Sequence, residues 1–313
     1  MSVKFEFIVA ETLPQLRFSG KLSLYNSPEY ISLWHKLENF TFLIVNLERE
    51  EIAAHINFQV KENTGFSILT APFGSLSISD DVDFETLSKF IDFVESHLRT
   101  EGVREIKIKH YPRIYHPESY EKVASTLALN GYKASTIDLN QVIQISNNSF
   151  DQIIHPMEKR NLLKSKKTGI FFTEHPNTEA EIVFNGIESF RRSRKIPVNI
   201  DLKSIMNLAD KFPDKYSFFS ASMENNMVAA TICVEVKDSV LYNFLPAHNS
   251  DYNSFSPLVF LMEQLYKYYS NKAFEYIDLG VSSIDNDPQK GLIRFKERLG
   301  CISFSKLTFL KEI

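Results

Sequence analysis

The stretch NKAFEYIDLGVSSIDNDPQKGLIRFKERLGCISFSKLTF, residues 271–309, decides the fold. It reads as a strand over 274–279, a loop over 280–287, a helix from Pro288 to Leu299, a stop at Gly300 and a strand from Ile302. Asp287 suits an N-cap, Pro288 the first helical position and Gly300 the residue just past the last turn. At ~100° per residue, Leu292, Ile293, Phe295 and Leu299 share one apolar arc. Lys296 falls inside that arc, whereas Lys290, Arg294, Glu297 and Arg298 fall opposite. An inward ammonium is costly unless a carboxylate, a phosphate or a developing anion meets it. The alternative is a packed stem with the ammonium reaching water.

Working back from this stretch, Ser256-Pro257 opens a helix with Leu258, Leu261, Met262, Leu265 and Tyr269 inward. A polar loop, 247–255, separates it from strands over 216–223, 228–236 and 240–246. Asp201 caps a helix, and Thr178 with Glu181 forms a capping box for another that runs to about Arg194. A helix over 150–168 ends in the basic run Lys159, Arg160, Lys164, Lys166 and Lys167. The first half repeats this order of parts. A strand over 3–9 leads to a short helix at Ser27-Pro28 with Tyr30, Ile31, Trp34 and Leu37 inward. Strands follow over 42–47, 52–60 and 66–71. Next come a helix carrying Phe84, Leu87, Ile91, Val94 and Leu98, a strand over 105–109, and a helix stopped at Gly131. Extended chain over 132–145 closes the half. Matching elements lie about 170 residues apart, which predicts a duplicated unit. Helices mixed with antiparallel hairpins predict an α/β (α+β) domain used twice, over 1–145 and 146–313.

Composition narrows the class. The chain has 313 residues, 43% hydrophobic and 24% charged, with a net charge of -4. That balance suits a globular protein and excludes a surface coated in positive charge for nucleic acid. Cys233 and Cys301 fall in strands, which predicts buried thiols in a reducing compartment and no metal site. The N-terminal residues alternate as a strand and lack a signal-peptide core, and no apolar run reaches the ~20 residues of a membrane helix. A cytoplasmic protein is the expectation.

Four segments, taken together at their spacing, carry a family resemblance. They are the basic helix around Lys164, the run Phe190-Arg191-Arg192-Ser193-Arg194-Lys195-Ile196-Pro197, the strand end Asp278-Leu279-Gly280, and Gly291-Leu292-Ile293-Arg294-Phe295-Lys296-Glu297-Arg298-Leu299-Gly300. The second half resembles the Fem-type peptidyltransferases, bacterial relatives within the GNAT-like acyltransferase superfamily. The resemblance implies tandem GNAT-like domains with the active channel in the second. It also implies transfer of an acyl or aminoacyl group to an amine acceptor. The co-substrate would be aminoacyl-tRNA or acyl-CoA, with no tightly bound cofactor. It further implies that Lys296 stabilises charge in the transferring complex and that Arg194 lies near an acceptor phosphate. Tyr111, before Pro112, stands where Fem-type enzymes carry an acidic residue, which leaves the donor open.

Acylation of an amine requires a held carbonyl and a stabilised oxyanion. Lys296 suits the oxyanion or a donor phosphate. Asp278 pairs with Lys296, accepts an amine proton, or caps the turn at Gly280. Tyr242 donates a hydrogen bond to substrate or fills the core. Arg191, Arg192, Arg194 and Lys195 complement a helix C-terminus or bind an anion. Lys164 binds phosphate or belongs to a solvated face. The glycine-free loop 247–257 is a poor pyrophosphate cradle, which predicts weak binding of acetyl-CoA. A binding protein that recognises an anionic ligand without catalysis is the alternative.

Overall fold

The computed structural model describes residues 4–10, 16–20, 22–33, 38–284 and 286–313, with only the backbone at Ile284. Trp34 and Leu37, expected inward on the first short helix, lie outside the described residues. In chain order the main elements of the first half are β1 (Phe5–Ala10), β2 (Glu38–Asn46), β3 (Glu51–Lys61), β4 (Thr64–Phe66), α1 (Phe84–Thr100), β5 (Glu105–Lys109), α2 (Tyr120–Leu129) and β6 (Lys133–Gln144). The second half adds α3 (Pro156–Lys166), β7 (Phe171–His175), α4 (Ala180–Ser193), α5 (Leu202–Lys211), β8 (Tyr216–Met223), β9 (Asn226–Lys237) and β10 (Val240–Asn243). It ends with α6 (Pro257–Ser270), β11 (Tyr276–Val281), α7 (Lys290–Arg298) and β12 (Ile302–Glu312).

The chain divides into two compact units. One comprises Met1–Leu139, Asp285–Asp287 and Ser305–Ile313; the other comprises Asn140–Ile284 and Pro288–Phe304. The first break falls after Leu139, and most of β12 groups with the first unit. In the first unit β1, β2, β3 and β4 pair antiparallel in turn, β4 runs parallel to β5, and β12 pairs antiparallel with β5 through Thr308↔Lys109. Leu87, Phe90, Ile91, Val94 and Leu98 of α1 and Val123 and Leu127 of α2 bury against Ile106, Ile108 and Phe309. Phe84 is 47% exposed, because it opens α1 ahead of the buried face. The strand expected over 66–71 stops at Phe66.

In the second unit the order is β6, β11, β10, β9, β8, β7, with β10 and β11 parallel and the other pairs antiparallel. Leu261, Met262, Leu265 and Tyr269 of α6 pack with Phe219, Cys233, Leu241 and Ile277 in the core. α4 packs on β9. The helix expected over 150–168 is two pieces, Phe150–Ile153 and α3. Pro156 explains the break: it has no N–H and disfavours helical backbone at His155. Asp201 caps α5 as expected, accepting from the Ser204 N–H at 2.7 Å. The Thr178–Glu181 box does not form, since α4 starts from Glu179 without a side-chain cap. α7 starts at Lys290 rather than Pro288, because Asp287–Pro288 is extended and the Gln289 N–H bonds to the Ser282 carbonyl.

Candidate active site

The site is built where two parallel strands part. β10 and β11 stay in register through Val240↔Tyr276, Leu241↔Ile277 and Tyr242↔Asp278. Beyond that, Asn243 keeps to β9 opposite Cys233, and the Phe244 and Leu245 N–H groups bond to the Ile232 carbonyl. β11 instead continues beside β6, with a register shift between Asp278 and Val281, which pairs with Asn140. The two strands thereby open a fork whose first residues are Tyr242 and Asp278.

Gly280 shapes the irregularity in β11. Its φ is +72°, and a Cβ there would lie 3.3 Å from Cε2 and 3.4 Å from the hydroxyl of Tyr242. Only glycine takes this backbone without strain and lets the tyrosine ring approach. Asp278 is buried; its Oδ1 accepts from the Gly280 N–H at 2.8 Å and from the Asn140 amide at 2.8 Å. The carboxylate therefore does cap the turn at Gly280, one of the roles its sequence suggests.

Lys296 projects from α7 into the same place. It is 4% exposed, and its Nζ donates to the Gly280 carbonyl at 2.8 Å and the Val281 carbonyl at 3.1 Å. Burial pulls its ammonium down to about 8, with the Asp278 carboxylate and the Cys301 thiol opposing. The inward arc of α7 is thus real at Lys296 and Leu299. Leu292, expected on the same arc, is 42% exposed, because it lies in the first turn of the shortened helix. Tyr242 is partly buried. Burial raises its phenol well above the usual range and Asp278 adds to the shift, so it stays a protonated donor.

Arg191 approaches Tyr242 from α4. Its guanidinium donates to the carbonyls of Pro246 at 3.2 Å and Pro197 at 3.4 Å, which fixes the chain just past β10. Burial lowers its pKa, with Tyr242 opposing and Arg194 adding to the shift. Arg194 caps the end of α4 and is exposed. It also acts on His248, whose Nε2 lies 2.8 Å from Asn253 Oδ1 and whose pKa is lowered, mainly by burial. Lys296, Asp278, Tyr242, Arg191 and Arg194 therefore share one region of the second unit. Lys164 is exposed on α3 with its ammonium 5.8 Å from the Phe255 ring centroid. Two other bases of that helix have carboxylate partners: Lys166 meets buried Glu263 at 2.5 Å and Lys159 meets Asp151 at 2.9 Å. Tyr111 lies in the first unit, buried, with its hydroxyl 3.2 Å from the Leu76 carbonyl and 3.4 Å from Ser119. Asn140, Gly280 and His248 escaped sequence reasoning as site residues. Only Gly280 gave a signal, as a glycine at a strand end.

The sequence matches no family model and no curated protein. Solved structures do share its fold. FemX superposes with a TM-score of 0.70 at 12% identity, over 93% of this chain and 92% of that one. A tandem GNAT protein from the clavulanic acid biosynthesis pathway gives 0.58 at 8% identity, over 99% and 98%. L-PGS from Bacillus licheniformis gives 0.57 at 10% identity, over 82% and 80%. The chain has the GNAT-like fold of these proteins, with mixed sheets flanked by helices.

Proposed function

We propose that this chain is an acyltransferase that moves an acyl or aminoacyl group from an activated donor to an amine, with the chemistry at the fork between β10 and β11. The observation that carries this reading is Lys296, a buried ammonium held at the point where two parallel strands separate. The amine attacks the donor carbonyl, a C–N bond forms and the carbonyl electron pair moves to oxygen. Collapse then breaks the C–S bond of a thioester or the C–O bond of an aminoacyl ester. The proton lost by the amine ends on the leaving sulfur or oxygen. Lys296 and the Tyr242 hydroxyl are the donors suited to the oxyanion. An ammonium titrating at about 8 is also well matched to carry the proton near neutral pH.

Acyl-CoA and aminoacyl-tRNA both remain within this reading, which also fits a cytoplasmic protein of bacterial type. No helix among the described residues is long and apolar enough to cross a membrane. The start of α6 is a poor pyrophosphate cradle. Pro257 removes one backbone donor, and the Ser256 carbonyl already takes the Val259 and Phe260 N–H groups. A donor held mainly by its acyl-bearing end fits better than one anchored by pyrophosphate. The two carbonyl bonds of Lys296 favour a second reading, in which the lysine only braces the bulge and the protein binds an anionic ligand without turnover. A donor panel containing acyl-CoAs and aminoacyl-tRNAs, crossed with primary amines and read by mass spectrometry, separates the two. N-acylated product is expected from the wild type; none from any pair, with binding intact, would establish the second reading.

A further inference from the structure

The irregular segment of β11 that offers its carbonyls to Lys296 is held from β6 by two consecutive residues. Asn140 pairs with Val281 and donates its amide to Asp278 at 2.8 Å, at the start of that segment. Gln141 alternates to the other face of the sheet. On that face Ile143 and Ile277 join a core that includes Leu265 of α6 and Leu299 of α7. There the Gln141 Oε1 accepts from the Ser282 hydroxyl at 2.7 Å, just past the end of the segment. Gln141 is 0% exposed and Ser282 is 1% exposed. The carbonyls that Lys296 meets, those of Gly280 and Val281, lie between these two fixed points. Ser282 also fixes the helix that carries the lysine. Its carbonyl accepts, at 2.9 Å, from the N–H of Gln289, the N-cap of α7.

Stability does not account for a glutamine at this place. Its Nε2 has no hydrogen-bond partner among the described residues, and a buried donor left unmet is costly. A leucine or methionine would fill the same part of the core without that cost. Replacing both Gln141 and Ser282 by apolar residues would likewise cost little, since two buried partners removed together leave nothing unpaired. What the glutamine supplies is one acceptor, which ties the chain after Val281 to β6.

We propose that Gln141 is a positioning residue for Lys296: through Ser282 it sets the place of the Val281 carbonyl and of the start of α7, and so the point at which the lysine meets the acyl group. The consequence for turnover rests on the acyl-transfer reading; the pinning of Lys296 does not. The titratable groups acting on Lys296 are Asp278 and the Cys301 thiol, and a change at Gln141 leaves both in place.

Two variants of the full chain test the proposal. Gln141→Met keeps the bulk and removes the acceptor, and Ser282→Ala deletes only the hydroxyl. Nuclear magnetic resonance of lysine-labelled protein follows the Lys296 side chain, assigned by its absence from Lys296→Met. In the wild type it should titrate at about 8. In Gln141→Met the carbonyls drift from a lysine that stays buried, so the titration should move to lower pH by about half a pH unit or more. Turnover should show kcat lowered about tenfold or more with KM within about threefold of wild type. Ser282→Ala should give the same two changes, and it decides the matter if Gln141→Met fails to fold. An unmoved titration, or turnover with unchanged kcat, in a folded variant would overturn the proposal. A wild type without turnover would instead remove the acyl-transfer reading, and the titration would then decide whether Gln141 holds the lysine.

Discussion

Lys296 is the residue on which the account turns. Its place on the buried side of α7 was legible in the sequence, since helical spacing puts it between Leu292 and Ile293. Its partners were not. The Gly280 and Val281 carbonyls reach it only because β11 breaks register after Asp278, a feature set by tertiary pairing with Asn140. The lowered ammonium gives two pH predictions. First, kcat/KM for acyl transfer should fall as pH rises through about 8, where Lys296 loses its proton. A profile flat to about pH 9 would exclude Lys296 as a proton-bearing group. Second, the folded pKa lies below the ordinary 10.5, so the unfolded chain binds the extra proton between these values. The folded state is therefore penalised by Lys296 below pH 8, and the penalty disappears above 10.5. Denaturant titrations of Lys296→Met should show stability unchanged or raised by about 1–3 kcal/mol at pH 7, a gain that vanishes in strong alkali. A loss of several kcal/mol at pH 7 would mean that the two carbonyl bonds anchor the fold.

At the scale of elements, the fork depends on short segments whose conformation sequence spacing does not reveal. Helix faces and most strands were readable from apolar periodicity, as α1, α2 and α6 illustrate. Helix starts were less so: Asp287-Pro288 has ideal capping chemistry, yet extended backbone there moves α7 to Lys290. Gly300 was readable as a stop, and its φ of +79° agrees. The close approach that makes glycine necessary was not readable: a Cβ would lie 2.6 Å from the Ile153 carbonyl oxygen. Gly280→Ala should lose about 1–3 kcal/mol, from the left-handed backbone and the crowding of Tyr242, and should displace that ring. Chemical unfolding and the Tyr242 resonances check this; a neutral substitution would mean that the bulge relaxes freely. At the start of α6, Pro257 and the glycine-free loop lead to a further expectation, acetyl-CoA binding weaker than micromolar by calorimetry. Tight binding would move the donor to ordinary acyl-CoA.

Over the whole molecule, the order of elements was largely legible because both halves follow the same alternation of hairpins and amphipathic helices. The grouping of residues 305–313 with the first unit was not, because nothing local in a strand names its partner. The first unit also carries a stability signature of its own. Burial holds His55 down to about 4 and His110 down to about 3, with backbone contacts opposing in both cases. Both are 0% exposed and burial disfavours their charged forms, so below the ordinary 6.5 the unfolded chain takes up protons that the folded one refuses. Stability should therefore fall between pH 6.5 and about 4, by on the order of 3 kcal/mol for each histidine. His55→Gln should flatten that dependence in denaturant titrations; an unchanged slope would show that His55 already charges in the fold. The most direct test of acyl transfer at the fork is turnover of wild-type and Lys296→Met proteins side by side, each with its melting curve. The account predicts that Lys296→Met melts no lower than wild type and forms N-acylated product at least ~10²-fold more slowly, as expected for losing an oxyanion donor. Full turnover by the folded variant would contradict it.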